Sequence, residues 1–152
     1  LTGAPPTSII YTEDYEFNIG KSISIKEGKE ILILSHGTIL GNALKAVKKL
    51  EEETSCSFHV ENVHTLNPID EKVVHLIKSF SLIFTIEEHS LIGGLGSIVS
   101  ELITDENLNN IKHVKLGIPP KFLSSGTYEQ LMDEYNLSSD KIYAQILKKL
   151  KM

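Results

Sequence analysis

Apolar and polar residues alternate from Ile19 to Ile25, with Ile19, Ile23 and Ile25 on one face and Lys21 as its polar exception. This period of two predicts a short edge strand, turned by Glu27 and Gly28. Ile31 to Leu34 is apolar without interruption, the mark of a strand covered on both faces. Ser35-His36-Gly37-Thr38 breaks that run and opens a helix. Along it Ile39, Leu40, Ala43, Leu44, Ala46, Val47 and Leu50 share one stripe, while Lys45, Lys48, Lys49 and Glu51 to Glu53 face away.

The same unit then recurs. Phe58 to Val63 reads as a strand, and Asn67-Pro68 as a breaker before a helix. Asp70 and Glu71 suit the positive end of that helix, whose stripe is Val73, Val74, Ile77 and Phe80. Leu82 to Ile86 is a third inner strand. A loop, Glu87-Glu88-His89-Ser90, leads from it to Gly93-Gly94-Leu95-Gly96 and a helix with stripe Leu95, Ile98, Val99, Leu102 and Ile103. His113 to Ile118 is a fourth inner strand, stopped by Pro119-Pro120. Two short helices close the chain, near Tyr128 to Tyr135 and Asp140 to Leu150. Strands separated by helices imply right-handed crossovers and a parallel sheet. The predicted fold is α/β, a three-layer α/β/α sandwich of about five strands. The connection Glu27 to Glu30 is too short for a parallel crossover, so the first strand must run antiparallel if it joins the sheet.

At 152 residues, with 41% hydrophobic and 23% charged, the chain has the size and balance of one globular domain. No apolar run is long enough to span a membrane, and no secretory signal opens the sequence. The one cysteine, Cys56, excludes an internal disulfide framework and fits a cytoplasmic setting. A net charge of −5 excludes an electrostatic footprint for nucleic acid. All 15 basic residues are lysine, so the usual bidentate clamp for phosphate is missing. The chain begins at Leu1 rather than Met and is expected to be a fragment or processed product. Residues 1–14, with Pro5 and Pro6, read as a linker from an upstream domain, and 15–152 as one domain.

Candidate chemistry gathers where the inner strands end. Gly93, Gly94 and Gly96 open a helix, and such a turn is competent to hold an anion. The spacing is neither a dinucleotide fingerprint nor a P-loop, and helix-to-sheet packing or an interface is the reading it favours over anion binding. Glu87, Glu88 and His89 end the third inner strand, and a carboxylate–imidazole pair suits acid–base work if the two meet in a closed cleft. Ser35, His36 and Gly37 hold the matching place after the first inner strand, close enough to share a crevice. The other histidines, His59, His64 and His75, form no metal constellation, and there is no G-x-S-x-G elbow. No catalytic, cofactor-binding or metal-binding residue is assigned.

The run from Phe84 through Glu87-Glu88-His89 and Gly93-Gly94-Leu95-Gly96-Ser97 closely resembles a hallmark of the C-terminal domain of the transketolase family. Phe17 to Lys21 with Lys26 to Ile31, Ser35 to Thr38, His64 to Asp70, and Gly117-Ile118 with Phe122, Ser125 and Gly126 are similar to that domain in order and spacing. Three positions depart from its pattern: Pro120 for an aspartate, Asn67 for a lysine, and His64 for a basic residue. The resemblance implies an α/β/α sandwich with one antiparallel strand. It implies a parent transferase, dependent on thiamine diphosphate and a divalent metal (magnesium), that moves a two-carbon ketol unit between sugar phosphates. The cofactor lies between pyrophosphate-binding and pyrimidine-binding domains, neither of which is here. This domain would serve assembly within a homodimer and regulatory ligand binding, and alone would be inactive. Ser35, His36, Gly37, Glu87, Glu88, His89, Gly93, Gly94 and Gly96 are then its interface or anion-binding residues. The same domain in deoxyxylulose-phosphate synthase or a 2-oxo-acid dehydrogenase β subunit is the nearest alternative. A stand-alone anion- or metabolite-binding module and a self-contained enzyme built on Glu88 and His89 are the others.

Overall fold

The computed structural model describes residues 9–11 and 14–151. Of the expected linker, residues 1–8, 12 and 13 lie outside the described residues, while Ile9 to Tyr11 and Asp14 carry no regular structure. The elements in order are β1 (Ile23–Lys26), β2 (Ile31–Ser35), α1 (Leu40–Glu53), β3 (Phe58–Asn62), α2 (Glu71–Ser79), β4 (Leu82–Ser90), α3 (Leu95–Asp105), β5 (Lys112–Ile118), α4 (Tyr128–Glu134) and α5 (Ser139–Leu150). They build a five-stranded sheet in the order β1-β3-β2-β4-β5, with β1 antiparallel and the rest parallel. This is the three-layer arrangement that the strand–helix pattern predicts.

The pleat divides the core. Ile31 and Ile33 of β2, with Phe84 and Ile86 of β4, pack under α1, α4 and α5. Leu32 and Leu34, with Ile83, face Val73 and Ile77 of α2 and Leu95 and Val99 of α3. All five β2 residues are buried, as a central parallel strand requires.

The edge strand differs from the pattern in two ways. It begins at Ile23, because a turn through Gly20, whose φ is +83°, leaves Ile19 exposed. Its partner is β3, not its successor β2. The link between β1 and β2 therefore passes across the start of β3, and there Gly28 is indispensable: a Cβ on it would lie 2.1 Å from the backbone carbon of Phe58.

The segment Glu87 to Ser90, expected as a loop, is a correction: β4 runs on through it. After Ile86 the pairing with β5 shifts register and resumes at Ser90 opposite Ile118. Polar residues hide this extension from hydrophobic periodicity, yet Glu87 is wholly buried.

Candidate functional site at the carboxyl ends of the strands

β2 sends its chain to one face of the sheet, through α1, while β3 and β4 send theirs to the other, through α2 and α3. Such reversals open crevices at the carboxyl ends of parallel strands. Two clefts flank the end of β2. One, of about 310 Å³, lies toward β4 among His36, Thr38, Leu66, Glu87, His89 and Gly93. The other, of about 430 Å³, lies toward β3 beside Tyr11, Leu40, Asn62 and His64. A third, of about 660 Å³, lies beyond the ends of β4 and β5 between Glu88, His89, Pro119 and Phe122.

Glu87 determines the electrostatics of the first cleft. The backbone N–H groups of Leu95 and Gly96 each donate to its carboxylate at 2.8 Å. The negative charge sits on the positive end of α3 and satisfies two donors that the helix cannot pair internally. Gly94 makes room for it, since a Cβ there would stand 1.8 Å from Oε2 of Glu87. Gly96 lets the helix approach the sheet, its Cβ position being 2.6 Å from Lys115 Cδ. Gly93 supplies a φ of +85° in open space. At this turn the chain's own carboxylate takes the N–H groups of Leu95 and Gly96.

Ser35 is buried and donates to the carbonyl of Ile86 at 2.8 Å, which ties β2 to β4. Gly37 adopts a φ of +70° with nothing near its Cβ position. Between them His36 is half-buried, and its Nε2 has no partner among the described residues. Burial depresses its imidazole below the ordinary range, with Glu87 opposing and His89 adding to the effect. It is therefore neutral near pH 7. Burial pushes the Glu88 carboxyl up, against the influence of the neighbouring Tyr128 hydroxyl. His89 is exposed, and no hydrogen bond or ion pair joins it to Glu88 among the described residues. The pair does not form an enclosed acid–base dyad.

Sequence reasoning missed a buried polar cluster at the other side of the sheet. Glu61, fully buried on β3, accepts from Lys72 Nζ at 2.8 Å and Ser24 Oγ at 2.7 Å, and lies 3.1 Å from His59 Nε2. Burial alone would raise its carboxyl, but these bonds outweigh it and hold the group below its usual value. Nearby Asp70 caps α2 at the N–H of Lys72 and also accepts from the N–H of Ser22. The two carboxylates fasten β1 to the domain. The signal was available: His59 and Glu61 alternate onto one face of the strand while Phe58 and Val60 take the other.

Among the described residues, no group of three or more His, Cys, Asp or Glu side chains is disposed to hold a metal ion. The described side chains do not fit a diphosphate–metal unit. No helix among the described residues is long and apolar enough to cross a membrane.

A family model described as "Transketolase, C-terminal domain" matches residues 20–142. The chain belongs to the transketolase C-terminal domain family. It is 35% identical over 147 residues to a putative transketolase C-terminal section from Methanocaldococcus jannaschii, covering 95% of this chain and 45% of that protein. It is 32% identical over 139 residues to a 1-deoxy-D-xylulose-5-phosphate synthase from Bacteroides thetaiotaomicron, covering 90% of this chain and 21% of the synthase. Among solved structures, a split-gene transketolase described as an inactive β4 tetramer superposes with a TM-score of 0.84 at 32% identity. That match covers 95% of this chain and 47% of the other. The chain thus spans less than half the length of these relatives. Transketolase-family enzymes depend on thiamine diphosphate and carry further domains.

Proposed function

We propose that this chain is the C-terminal domain of a transketolase-like enzyme that transfers a two-carbon ketol unit between sugar phosphates, and that its own role is assembly. Residues 15–152 form the domain and 1–14 lead into it. One observation carries the assembly reading: the carboxyl-end surface is apolar where solvent should favour polarity. Phe122 is fully exposed and Ile92 is 67% exposed, with Leu123 beside the cleft of about 660 Å³. Clustered apolar exposure of this kind belongs to contact surfaces. Glu87, already satisfied within the chain, adds no buried charge that a partner would have to pair. Glu88, His89 and the Gly93–Gly96 turn then face the neighbouring pyrimidine-binding domain or the second protomer of a homodimer, in the cytoplasm.

The likeness to a transketolase section and a split-gene transketolase supports the transketolase reaction. The likeness to deoxyxylulose-phosphate synthases supports the second reading, in which the same scaffold serves that synthase. One assay tests both. The chain is supplied with thiamine diphosphate, magnesium, a ketose phosphate donor, glyceraldehyde phosphate as acceptor and, in a parallel sample, pyruvate in place of the ketose, with or without a polypeptide carrying the pyrophosphate- and pyrimidine-binding domains. Ketol transfer is expected only in the mixture. Turnover by the chain alone would refute the proposal, and condensation of pyruvate with glyceraldehyde phosphate in its place would favour the synthase.

A further inference from the structure

Of the four buried side-chain atoms without a partner among the described residues, three flank the start of α1: His36 Nε2, Asn62 Oδ1 and His64 Nε2. Buried polar atoms are almost always paired, so such a concentration calls for a cause. Asn62 and His64 line the same cleft, between the ends of β2 and β3. Asn62 is only 9% exposed. At this cleft α1 begins with a tight turn in which Leu40 and Gly41 donate their N–H groups to the carbonyls of Gly37 and Thr38, and no side chain caps it.

The hydrogen-bond pattern specifies what the cleft offers. Thr65 Oγ1 accepts from the N–H of Gly20 at 3.1 Å and pairs with His64 Nδ1 at 3.1 Å. That pairing engages Nδ1 and leaves Nε2 as the ring atom that meets a ligand, as donor or acceptor according to the tautomer. Asn62 donates through Nδ2 to Tyr11 Oη at 2.6 Å, which leaves its carbonyl oxygen as an acceptor and the Tyr11 proton free to donate. Phe17 packs on the His64 ring at 4.5 Å and fixes its direction. A donor, an acceptor and a ring nitrogen able to serve as either thus meet beside the apolar Ile10 and Leu40. Among the described residues no Lys, Asp or Glu lines the cleft, so a charged ligand would lose water without gaining a counter-charge from them. A hydroxyl group both donates and accepts, and two hydroxyls on adjacent carbons match this set.

We propose that the cleft between the carboxyl ends of β2 and β3 binds a small, uncharged, hydroxyl-rich molecule, seated on Asn62, His64 and Tyr11. Its volume is in the range of small-molecule sites. This adds a ligand-binding role to the domain, while the assembly reading stands or falls separately in the turnover assay.

The test is a titration of the isotope-labelled 152-residue chain, followed by NMR, with erythritol, with D-ribose and with inorganic phosphate. Saturable shifts are expected at the Asn62 side-chain amide, the His64 ring and the Gly41 N–H with either polyol, and not with phosphate. Asn62→Leu should abolish them while leaving the rest of the amide spectrum in place. His64→Phe, which keeps the stacking on Phe17, should weaken binding by roughly tenfold, as loss of a desolvated hydrogen bond does. Shifts that grow linearly without saturating, saturation that survives His64→Phe unchanged, or phosphate saturating the same amides first would each overturn the proposal. If Asn62→Leu does not fold, the His64→Phe titration decides alone.

Discussion

Helices α1 and α3 begin side by side, at the carboxyl ends of β2 and β4. The start of α3 rests on the buried Glu87 carboxylate, which takes two of its N–H groups, and Gly94 is shaped to admit that carboxylate. The start of α1 has no such acid. Its turn at Gly37 is open, and the polar atoms around it are left without partners among the described residues. The start of α3 is satisfied by a side chain of β4, whereas the start of α1 is closed by its own backbone turn, with Leu40 and Gly41 donating to the carbonyls of Gly37 and Thr38.

Glycine substitutions separate the two ends most sharply. Gly94→Ala forces Glu87 off both N–H groups and should cost about 2–4 kcal/mol, the loss of a buried charge-assisted pairing. In thermal unfolding this amounts to roughly 2–4 °C per kcal/mol for a chain of this size. Gly37→Ala meets only the strain of its positive φ, about 1–2 kcal/mol. Equal losses at the two positions would break the contrast.

A smaller difference should follow from the side chains. Glu87→Gln keeps the shape but removes the charge and turns an amide NH₂ toward a helix donor, for a loss of about 2 kcal/mol in denaturant unfolding. Asn62→Leu removes an unpaired carbonyl oxygen together with the one bond from Nδ2 to Tyr11 Oη, and should cost about 1 kcal/mol. A large loss at Asn62 would show that the cleft is built for the fold rather than for a ligand.

The weakest effect is in acid. His113 lies under α3, 2.9 Å from Thr85 Oγ1 and 3.2 Å from Ser100 Oγ, and burial, with Lys115 adding to it, lowers its imidazole to about 4. The folded state thus resists protonation that the unfolded chain accepts near 6.5. Its contribution to stability is complete above that value and is lost as pH falls from 6.5 toward 4. His36, beside α1, is shifted in the same direction. Stability measured across that window should lose more of its slope in His113→Gln than in His36→Gln.

Much of the architecture was legible because each inner strand is a short apolar run and each helix carries one stripe. The antiparallel edge followed from the length of the Glu27–Glu30 connection. Its partner did not, because only the close passage of Gly28 over Phe58 shows that β3 lies between β1 and β2. At the strand ends legibility failed for a single physical reason: a buried charge reads as an exposed one until its compensation is seen. Glu87 is neutralised by a helix start eight residues on, and Glu61 by Lys72 eleven residues on. Neither distance is periodic, and only the fold brings the groups together. Asn62 was passed over because an asparagine at a strand end is ordinary in sequence.

The assembly role is most directly examined by amide hydrogen exchange on the chain alone and on the chain mixed with a polypeptide bearing the pyrophosphate- and pyrimidine-binding domains. Added protection is predicted along Glu87 to Gly94 and Ile118 to Leu123, with the outward faces of α2 and α5 unchanged. Protection confined to those outer helix faces, or an exchange pattern identical in the two samples, would contradict the account.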